Sequence, residues 1–263
     1  MEIPYLSRLQ EQLIFDSHAH YTDEKFDGIR DELLSELPRQ GVYAAVNCGC
    51  DAASSESALA LADKYGYLYA AVGIHPECLA DGTAENLRKI EILAQNPNCV
   101  AIGEIGLDYY WDKDHREAQK DLFVRQIELA KRIGKPVLIH DRDAHADTLD
   151  IIRTYQPNGV LHCFSGSPEM AQEVLKAGMY LGVGGVVTFK NAKRLPEVVA
   201  MIPNDRLLLE TDCPYLAPEP YRGKICHSGL ILLTAERIAE IRHQSVREIL
   251  SLSKQNAEKM FHL

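Results

Sequence analysis

The sequence contains no apolar run of the roughly 18–20 residues that a membrane span requires, so no membrane-spanning helix is predicted. Its first residues, MEIPYLSRLQEQ, contain no basic patch followed by an apolar core, so we expect no secretory signal. A glycine-rich phosphate loop is also missing after the first apolar run, where Asp-Ser-His-Ala-His stands instead. This absence disfavours an open, doubly wound nucleotide-binding sheet.

Positive charge is also scarce, with 28 Lys and Arg against 38 Asp and Glu and a net charge of −10. A broad nonspecific affinity for nucleic acid is therefore not expected, although a local cationic site formed by metal ions remains compatible with this charge. The seven cysteines are odd in number and scattered along the chain. They indicate reduced thiols in a cytoplasmic protein rather than a disulfide framework.

Eight short apolar runs alternate with longer amphipathic segments, the pattern that a repeated strand–helix unit produces. Without a linker or a shift in composition, residues 1–263 are predicted to form one domain, a closed (β/α)8 TIM barrel. Two helix boundaries are also predicted, a capping box at Asp114 and Glu117 and an N-cap at Ser167. The predicted strands are Leu13–Phe15, Val42–Asn47, Leu68–Gly73, Cys99–Gly103, Pro136–His140, Gly159–His162, Met179–Gly184 and Leu207–Thr211.

Histidine and carboxylate residues occur at the ends of most of these strands, where TIM barrels carry their functional groups. Any one such histidine is more often structural than metal-binding, so the evidence is their joint occurrence. Six nitrogen and oxygen ligands suit Zn²⁺, Mn²⁺ or Mg²⁺ and exceed what one catalytic ion with open positions needs. Two ions roughly 3.5–4 Å apart, bridged by a carboxylate, would use them all. The candidate ligands are His18, His20, Glu104, His140, His162 and Asp212.

Six ordered motifs, FDSHAH, VGIHPE, IGEIGLDYY, IHDRDA, HCFSG and LLETDCPYLAP, resemble the TatD family of metal-dependent hydrolases in the amidohydrolase-type barrel superfamily. The resemblance implies a (β/α)8 barrel that cleaves DNA with divalent metal ions, as a 3′-exonuclease or deoxyribonuclease. It also implies that the partner is DNA, acted on at single-stranded 3′ ends, without a membrane or an obligate protein partner.

The resemblance further assigns roles to residues of this chain. His18, His20 and Asp212 would bind the deeper ion, His140 and His162 the more exposed one, and Glu104 would bridge them. Asp212 would also act as the general base for the water that attacks phosphorus, or else as a ligand alone. Glu104 and Asp212 are therefore the catalytic candidates, and Asp16 is expected to orient His18 or His20. The substrate-binding candidates, each of which could instead be structural, are His75, Arg142 and Arg222.

The sequence departs from the family after Tyr221–Lys224, where Ile225–Gly229 (ICHSG) replaces an expected Asn-x-Pro segment. Cys226 and His227 could add a metal site, but an altered surface loop is the favoured interpretation. The aromatic residues Tyr109–Trp111 could stack on unpaired bases or pack a loop.

Two other functions remain open. One is an amide or ester hydrolase that uses the same two ions on a small substrate, and the other is a non-catalytic metal-binding barrel.

Overall fold

The computed structural model describes residues 11–263, in which eight parallel strands pair in chain order. The predicted (β/α)8 TIM barrel is confirmed. The strands are β1 (Ile14–Ala19), β2 (Val42–Cys48), β3 (Leu68–Val72), β4 (Cys99–Asp108), β5 (Val137–Arg142), β6 (Gly159–Leu161), β7 (Tyr180–Val183) and β8 (Leu207–Leu209). The helices are α1 (Arg30–Glu36), α2 (Ala52–Lys64), α3 (Ala84–Leu93), α4 (Arg116–Ile133), α5 (His145–Tyr155), α6 (Pro168–Lys176), α7 (Leu195–Met201), α8 (Ile231–Arg242) and α9 (Val246–Phe261).

The barrel closes where the ends of β1 and β8 meet. Ala19 and Cys213 form a parallel bridge, and the His20 amide donates to the Cys213 carbonyl at 2.8 Å. The Asp212 amide donates to the His18 carbonyl at 3.0 Å. Closure therefore brings the first and last predicted ligand segments side by side, although about 190 residues separate them.

The predicted strand positions are confirmed, but β1, β4 and β5 extend further than the sequence indicated, and β8 ends at Leu209 rather than Thr211. His18 consequently lies within β1, and Glu104 lies within β4 rather than after it. The strand continues past Glu104 because Gly106 has a φ of +148° and no side chain. A Cβ at this position would collide with the carbonyl of His140 on the neighbouring strand.

The barrel interior is filled by alternate residues of the strands, and it is closed at the N-terminal end by α9, where the ring of Phe261 stacks on Phe15. Side chains two positions apart on a strand share a face, so residues that follow this apolar layer point into the mouth of the barrel. Three strands continue in this way, from Leu138 to His140, from Val160 to His162 and from Leu208 to Glu210.

The helix boundaries are partly as predicted. Ser167 caps α6 through its side chain, with Pro168 in the first turn, as expected. The capping box at Asp114 and Glu117 is wrong: α4 begins at Arg116 after His115, without a side-chain cap, and Asp112 accepts the amides of Asp114 and His115 just before the helix. No helix within residues 11–263 combines the length and hydrophobicity needed to cross a bilayer.

Candidate metal centre

The six predicted ligands form one cluster at the C-terminal mouth of the barrel. Its first half contains His18 and His20, whose Nε2 atoms are 3.0 Å apart. Oε2 of Glu104 lies 3.2 Å from the Nε2 of His18 and 3.3 Å from that of His20. Oδ1 of Asp212 lies 3.4 Å from the Nε2 of His20. Four potential ligand atoms thus converge on one point.

The tautomers of these histidines suit a cation. Nδ1 of His20 is 3.2 Å from the carbonyl oxygen of Cys48, a contact that requires a proton on Nδ1. Nδ1 of His18 lies 3.5 Å from the Sγ of the same cysteine. In its neutral form, His20 then presents the lone pair of its Nε2 to the Nε2 of His18 and to the carboxylate of Glu104. Such an arrangement of electron pairs is repulsive without a positive charge at its centre, so the donor set fits a divalent metal ion.

The second half of the cluster contains His140 and His162, which face the other oxygen of Glu104. Oε1 of Glu104 lies 2.8 Å from the Nδ1 of His140 and 2.7 Å from the Nε2 of His162. The two oxygens of one buried carboxylate therefore face two different pairs of imidazoles. This is the geometry that a carboxylate bridging two ions requires.

Titration of the cluster follows from its mixture of buried imidazoles and carboxylates. Burial raises the pKa of the Glu104 carboxyl, but His162, His18 and His75 outweigh this effect and hold it well below its usual range. Burial lowers the pKa of His140, yet hydrogen bonds to Asp108 and Glu104 raise it to about 9. These surroundings favour positive charge at His140, and a bound cation would supply that charge in place of a proton.

Two carboxylates that sequence reasoning missed lie behind the second pair of imidazoles. Oδ2 of Asp108 is 3.0 Å from the Nε2 of His140, and Oε1 of Glu210 is 3.7 Å from the Nδ1 of His162. The hydrogen bond to Asp108 fixes the orientation of the His140 ring and increases its basicity, whereas Glu210 acts on His162 through its charge without a hydrogen bond. Asp108 lies on β4 at an even spacing from Glu104, so the two side chains point to the same face of the strand. This spacing could have identified Asp108 from the sequence.

Glu210 is fully buried, and its Oε1 accepts the Cys163 amide. Its Oε2 has no hydrogen-bond partner among residues 11–263. Gly182 on β7 makes room for this carboxylate, because a Cβ there would collide with Oε2. Gly182 therefore accommodates the carboxylate of Glu210 at the metal cluster.

Asp212 lies just beyond β8 at a φ of +59°, with its side chain 21% exposed. Burial raises the pKa of this carboxyl, but the hydrogen bond to His20 and the charges of His20, His162 and His18 lower it overall. An ionised carboxylate at the open side of the cluster can both bind a cation and accept a proton.

His75 lies beside the cluster, with its Nε2 3.5 Å from the Oε1 of Glu104. Its Nδ1 accepts the Glu77 amide at 3.2 Å, which leaves the proton of the neutral ring on Nε2. Burial lowers the pKa of His75 and favours this neutral form. The ring therefore presents a hydrogen-bond donor towards the centre of the site.

Arg142 and Arg222 lie at the exposed rim rather than in the cluster. The guanidinium carbon of Arg142 is 4.0 Å from the centre of the Tyr110 ring, and that of Arg222 is 4.2 Å from the centre of the Phe189 ring. Neither has a carboxylate within 4 Å in the part of the chain that the structure describes. Both guanidinium groups are available to an anionic ligand.

A cavity of about 350 Å³ opens beside His162 between the loops that follow β6 and β7. Phe164 and Leu195 give it an apolar wall, and Lys193 and Arg194 bring positive charge. A volume of this size suits a small organic ligand or one part of a larger substrate.

Asp16 does not orient an imidazole, contrary to expectation. Its carboxylate accepts the backbone amides of His18 and Thr211 and the hydroxyls of Thr211 and Ser228. Burial raises the pKa of this carboxyl to about 7, against the effect of these hydrogen bonds. Asp16 thus holds the ends of β1 and β8 together beneath the metal cluster.

The ICHSG segment is not a surface loop, so that interpretation is wrong. Cys226, His227 and Ser228 are all completely buried. The Ser228 hydroxyl binds Asp16 and lies 2.5 Å from the hydroxyl oxygen of Tyr21. No group of metal-binding side chains within residues 11–263 includes Cys226 or His227. The segment supports the barrel closure from below instead of adding a metal site.

Comparison with known proteins gives consistent matches over nearly the whole chain. The family model described as TatD related DNase matches residues 15–262. An uncharacterized metal-dependent hydrolase from Bacillus subtilis, YabD, is 42% identical over 254 residues, covering 95% of this chain and 100% of the relative. A protein named 3′-5′ ssDNA/RNA exonuclease TatD, from Cronobacter turicensis, is 37% identical over 215 residues, covering 80% of this chain and 82% of that protein. The crystal structure of YjjV, a TatD homologue from Escherichia coli K12, superimposes with a TM-score of 0.91 at 30% identity, covering 96% of this chain and 99% of that one.

Proposed function

This chain belongs to the TatD-related DNase family of metal-dependent hydrolases, and we propose that it hydrolyses phosphodiester bonds at the 3′ ends of single-stranded nucleic acid. The observation that carries the proposal is the carboxylate of Glu104, whose two oxygens face two separate pairs of imidazoles. Paired metal ions are a common solution for phosphodiester hydrolysis. The exonuclease name of the Cronobacter relative supports the same substrate class.

Six residues would hold two divalent ions, with Glu104 between them. His18, His20 and Asp212 would bind one ion, and His140 and His162 would bind the other. When bound, such ions polarise a phosphoryl group and lower the pKa of a coordinated water. The nitrogen and oxygen donor set is compatible with Zn²⁺, Mn²⁺ or Mg²⁺.

Asp212 is the proposed general base. Its carboxylate is ionised at neutral pH, and its side chain is partly open to the mouth of the barrel. Oδ1 faces His20, and Oδ2 would accept the proton of the attacking water. Glu104 is fully occupied between the two imidazole pairs and keeps the role of bridging ligand.

Three further residues would bind the substrate. His75 would donate its Nε2 proton to a phosphoryl oxygen, because the Glu77 amide occupies its Nδ1. Arg142 and Arg222 would bind phosphates further along the strand, since both guanidinium groups are exposed at the rim. We also propose a reducing, cytoplasmic location, which all seven cysteines support because each is a free thiol.

The decisive experiment is an activity screen of protein that has been stripped with EDTA and restored with Zn²⁺, Mn²⁺ or Mg²⁺. Labelled single-stranded DNA and RNA should lose nucleotides from the 3′ end, whereas a duplex with blunt ends should be cut more slowly. Asp212→Asn should abolish turnover while the protein still binds metal. Retained activity in this variant would refute the assignment of Asp212 as the base.

The same screen tests the two alternative functions. Hydrolysis of an amide or a lactone, with every nucleic acid left uncut, would favour the small-substrate hydrolase. Metal uptake without turnover of any of these substrates would favour a non-catalytic barrel.

A further inference from the structure

Two large aromatic side chains project into solvent next to the metal cluster. Tyr110 is 55% exposed and Trp111 is 63% exposed, and their rings form an edge-to-face pair with centres 4.9 Å apart. They are the only consecutive pair among the exposed large hydrophobic residues of the described part of the chain. Adjacent exposed rings of this kind commonly mark a binding surface.

The turn that carries these rings is anchored by Asp108, the residue behind His140. Oδ1 of Asp108 accepts the backbone amides of Tyr110 and Trp111, both at 2.9 Å, while its Oδ2 binds His140. The side chain of Gln119 binds the backbone amide and carbonyl of Asp108. One carboxylate therefore fixes both a candidate metal ligand and the turn that presents the two rings.

Positive charge lies directly on this aromatic pair. The guanidinium carbon of Arg142 is 4.0 Å from the centre of the Tyr110 ring and 5.5 Å from that of Trp111. Arg142 pairs with Asp108 across β4 and β5, so the side chain starts beside the turn. A guanidinium group stacked on a ring keeps its N–H edges free for a phosphate.

We propose that Trp111, Tyr110 and Arg142 form a subsite for one unpaired nucleotide of the substrate strand. The base stacks on the indole of Trp111, and Arg142 donates hydrogen bonds to the adjoining phosphate. Stacking requires an exposed base face, which a duplex does not offer, so the subsite selects single strands. This inference rests on the proposed nuclease function and adds the residues that recognise the strand.

The chain provides its own reporter, because Trp111 is its only tryptophan. The probe is an oligothymidylate with hydrolysis-resistant phosphorothioate linkages, added to metal-loaded protein. The Trp111 fluorescence should be quenched in a saturable way. The same backbone without bases should quench it much less, and so should a blunt duplex.

Variants test the stacking contact independently of fluorescence. Trp111→Ala should weaken binding of the labelled oligomer roughly 5- to 100-fold in fluorescence anisotropy, whereas Trp111→Phe should retain most of it. Tyr43→Ala is the matched control, since Tyr43 is 38% exposed beneath the ammonium group of Lys254 near the start of β2, at the opposite end of the barrel. The affinity of the Tyr43→Ala variant for the labelled oligomer should be unchanged.

The phosphate contact has its own measurement. Arg142→Gln should reduce the slope of log affinity against log salt by about 0.7, the value for one phosphate contact on a single strand. Arg132→Gln removes an exposed arginine that pairs with Glu91, and its slope should equal that of the wild type.

Failure of this inference is distinguishable from failure of the proposed function. If the wild type degrades oligonucleotides but Trp111 fluorescence and Trp111→Ala binding are unchanged, the subsite is refuted and the nuclease function stands. Saturable quenching without cleavage under any metal condition would support the subsite and refute the nuclease function.

Discussion

The two pairs of imidazoles in the cluster differ in what lies behind them. His18 and His20 are backed by two cysteines, Cys48 through its thiol and its carbonyl oxygen and Cys50 through its thiol, 3.9 Å from the Nδ1 of His20. His140 and His162 are backed by the carboxylates of Asp108 and Glu210. A carboxylate increases the basicity of an imidazole much more than a carbonyl or a thiol does. We call His18, His20 and the residues behind them the neutral half of the cluster. His140, His162 and the two carboxylates behind them are the anionic half.

This difference predicts a division of labour between the two halves. The neutral half is closed by Asp212, so its negative charge comes from a ligand that also faces the mouth of the barrel. The anionic half takes its charge from residues behind the histidines and so needs no further carboxylate at the front. The open face of the second half is thus free for the substrate.

The largest expected effect comes from the residue that both halves share. Glu104→Gln removes the charge between the imidazole pairs, so both ions should be lost and activity should fall by about 10³-fold or more. Metal analysis of the purified variant and turnover of a labelled oligonucleotide measure this effect. Glu91→Gln, on the surface of α3, is the control, and two ions retained in Glu104→Gln would contradict a bridging role.

Removing one imidazole from the anionic half should separate the two sites. His140→Ala should bind about one ion, whereas we expect two in the wild type, because the neutral half keeps its own three ligands and Glu104. Metal titration of EDTA-treated protein gives the stoichiometry. Loss of both ions in this variant would mean that the two halves cannot bind independently.

The carboxylates behind the imidazoles should have a smaller effect. Asp108→Asn and Glu210→Gln should each weaken binding of one ion by about 10- to 100-fold, since His140 loses a hydrogen bond in the first variant and His162 loses a neighbouring negative charge in the second. Cys48→Ala is the matched change in the neutral half. It should weaken metal binding less, because the backbone carbonyl that holds His20 remains. Equal losses in all three variants would remove the distinction between the halves.

The smallest expected effect is a pH dependence of stability in the metal-free protein. The pKa of His140 is about 9 in the folded chain against an ordinary value of 6.5, since Asp108 and Glu104 outweigh the effect of burial. A histidine whose pKa is raised on folding stabilises the fold at pH values below its ordinary pKa. This contribution is lost as the pH rises through the pKa that the histidine has in the folded chain.

The melting temperature of EDTA-treated protein should therefore fall between about pH 7 and pH 9. The fall should be smaller in Asp108→Asn, which lacks the charge that favours protonated His140. Metal-loaded wild type should not show it, because the ions replace the protons. A fall of the same size in all three samples would show that groups other than His140 cause the change in melting temperature.

Much of this arrangement was predictable from the sequence, and the exceptions have a common cause. Strand positions and candidate ligands follow from local patterns, such as the alternation that aims His18 and His20 to one side of β1. Asp108 was missed because its partner, His140, lies 32 residues away on another strand. Asp16 was assigned to a ring because its contacts with Thr211 and Ser228, about 200 residues away, are invisible locally.

The aromatic turn illustrates the same limit. The sequence left Tyr109–Trp111 undecided between base stacking and loop packing, and the folded chain separates these residues. Tyr109 is buried, with its hydroxyl bound to Asp147, whereas Tyr110 and Trp111 face solvent. Asp108 holds the backbone of Tyr110 and Trp111, and Asp147 holds the side chain of Tyr109, so contacts distant in sequence distinguish the three rings.

The sequence by itself determined the barrel and the residues that can offer electron pairs to metal ions, because hydrophobic periodicity and residue chemistry act over short distances along the chain. The tertiary structure alone decided that the two oxygens of Glu104 face different imidazole pairs, that two further carboxylates stand behind one pair, and that the ICHSG segment is buried. These features depend on the closure of the barrel, which places charged groups that are far apart in sequence next to one another.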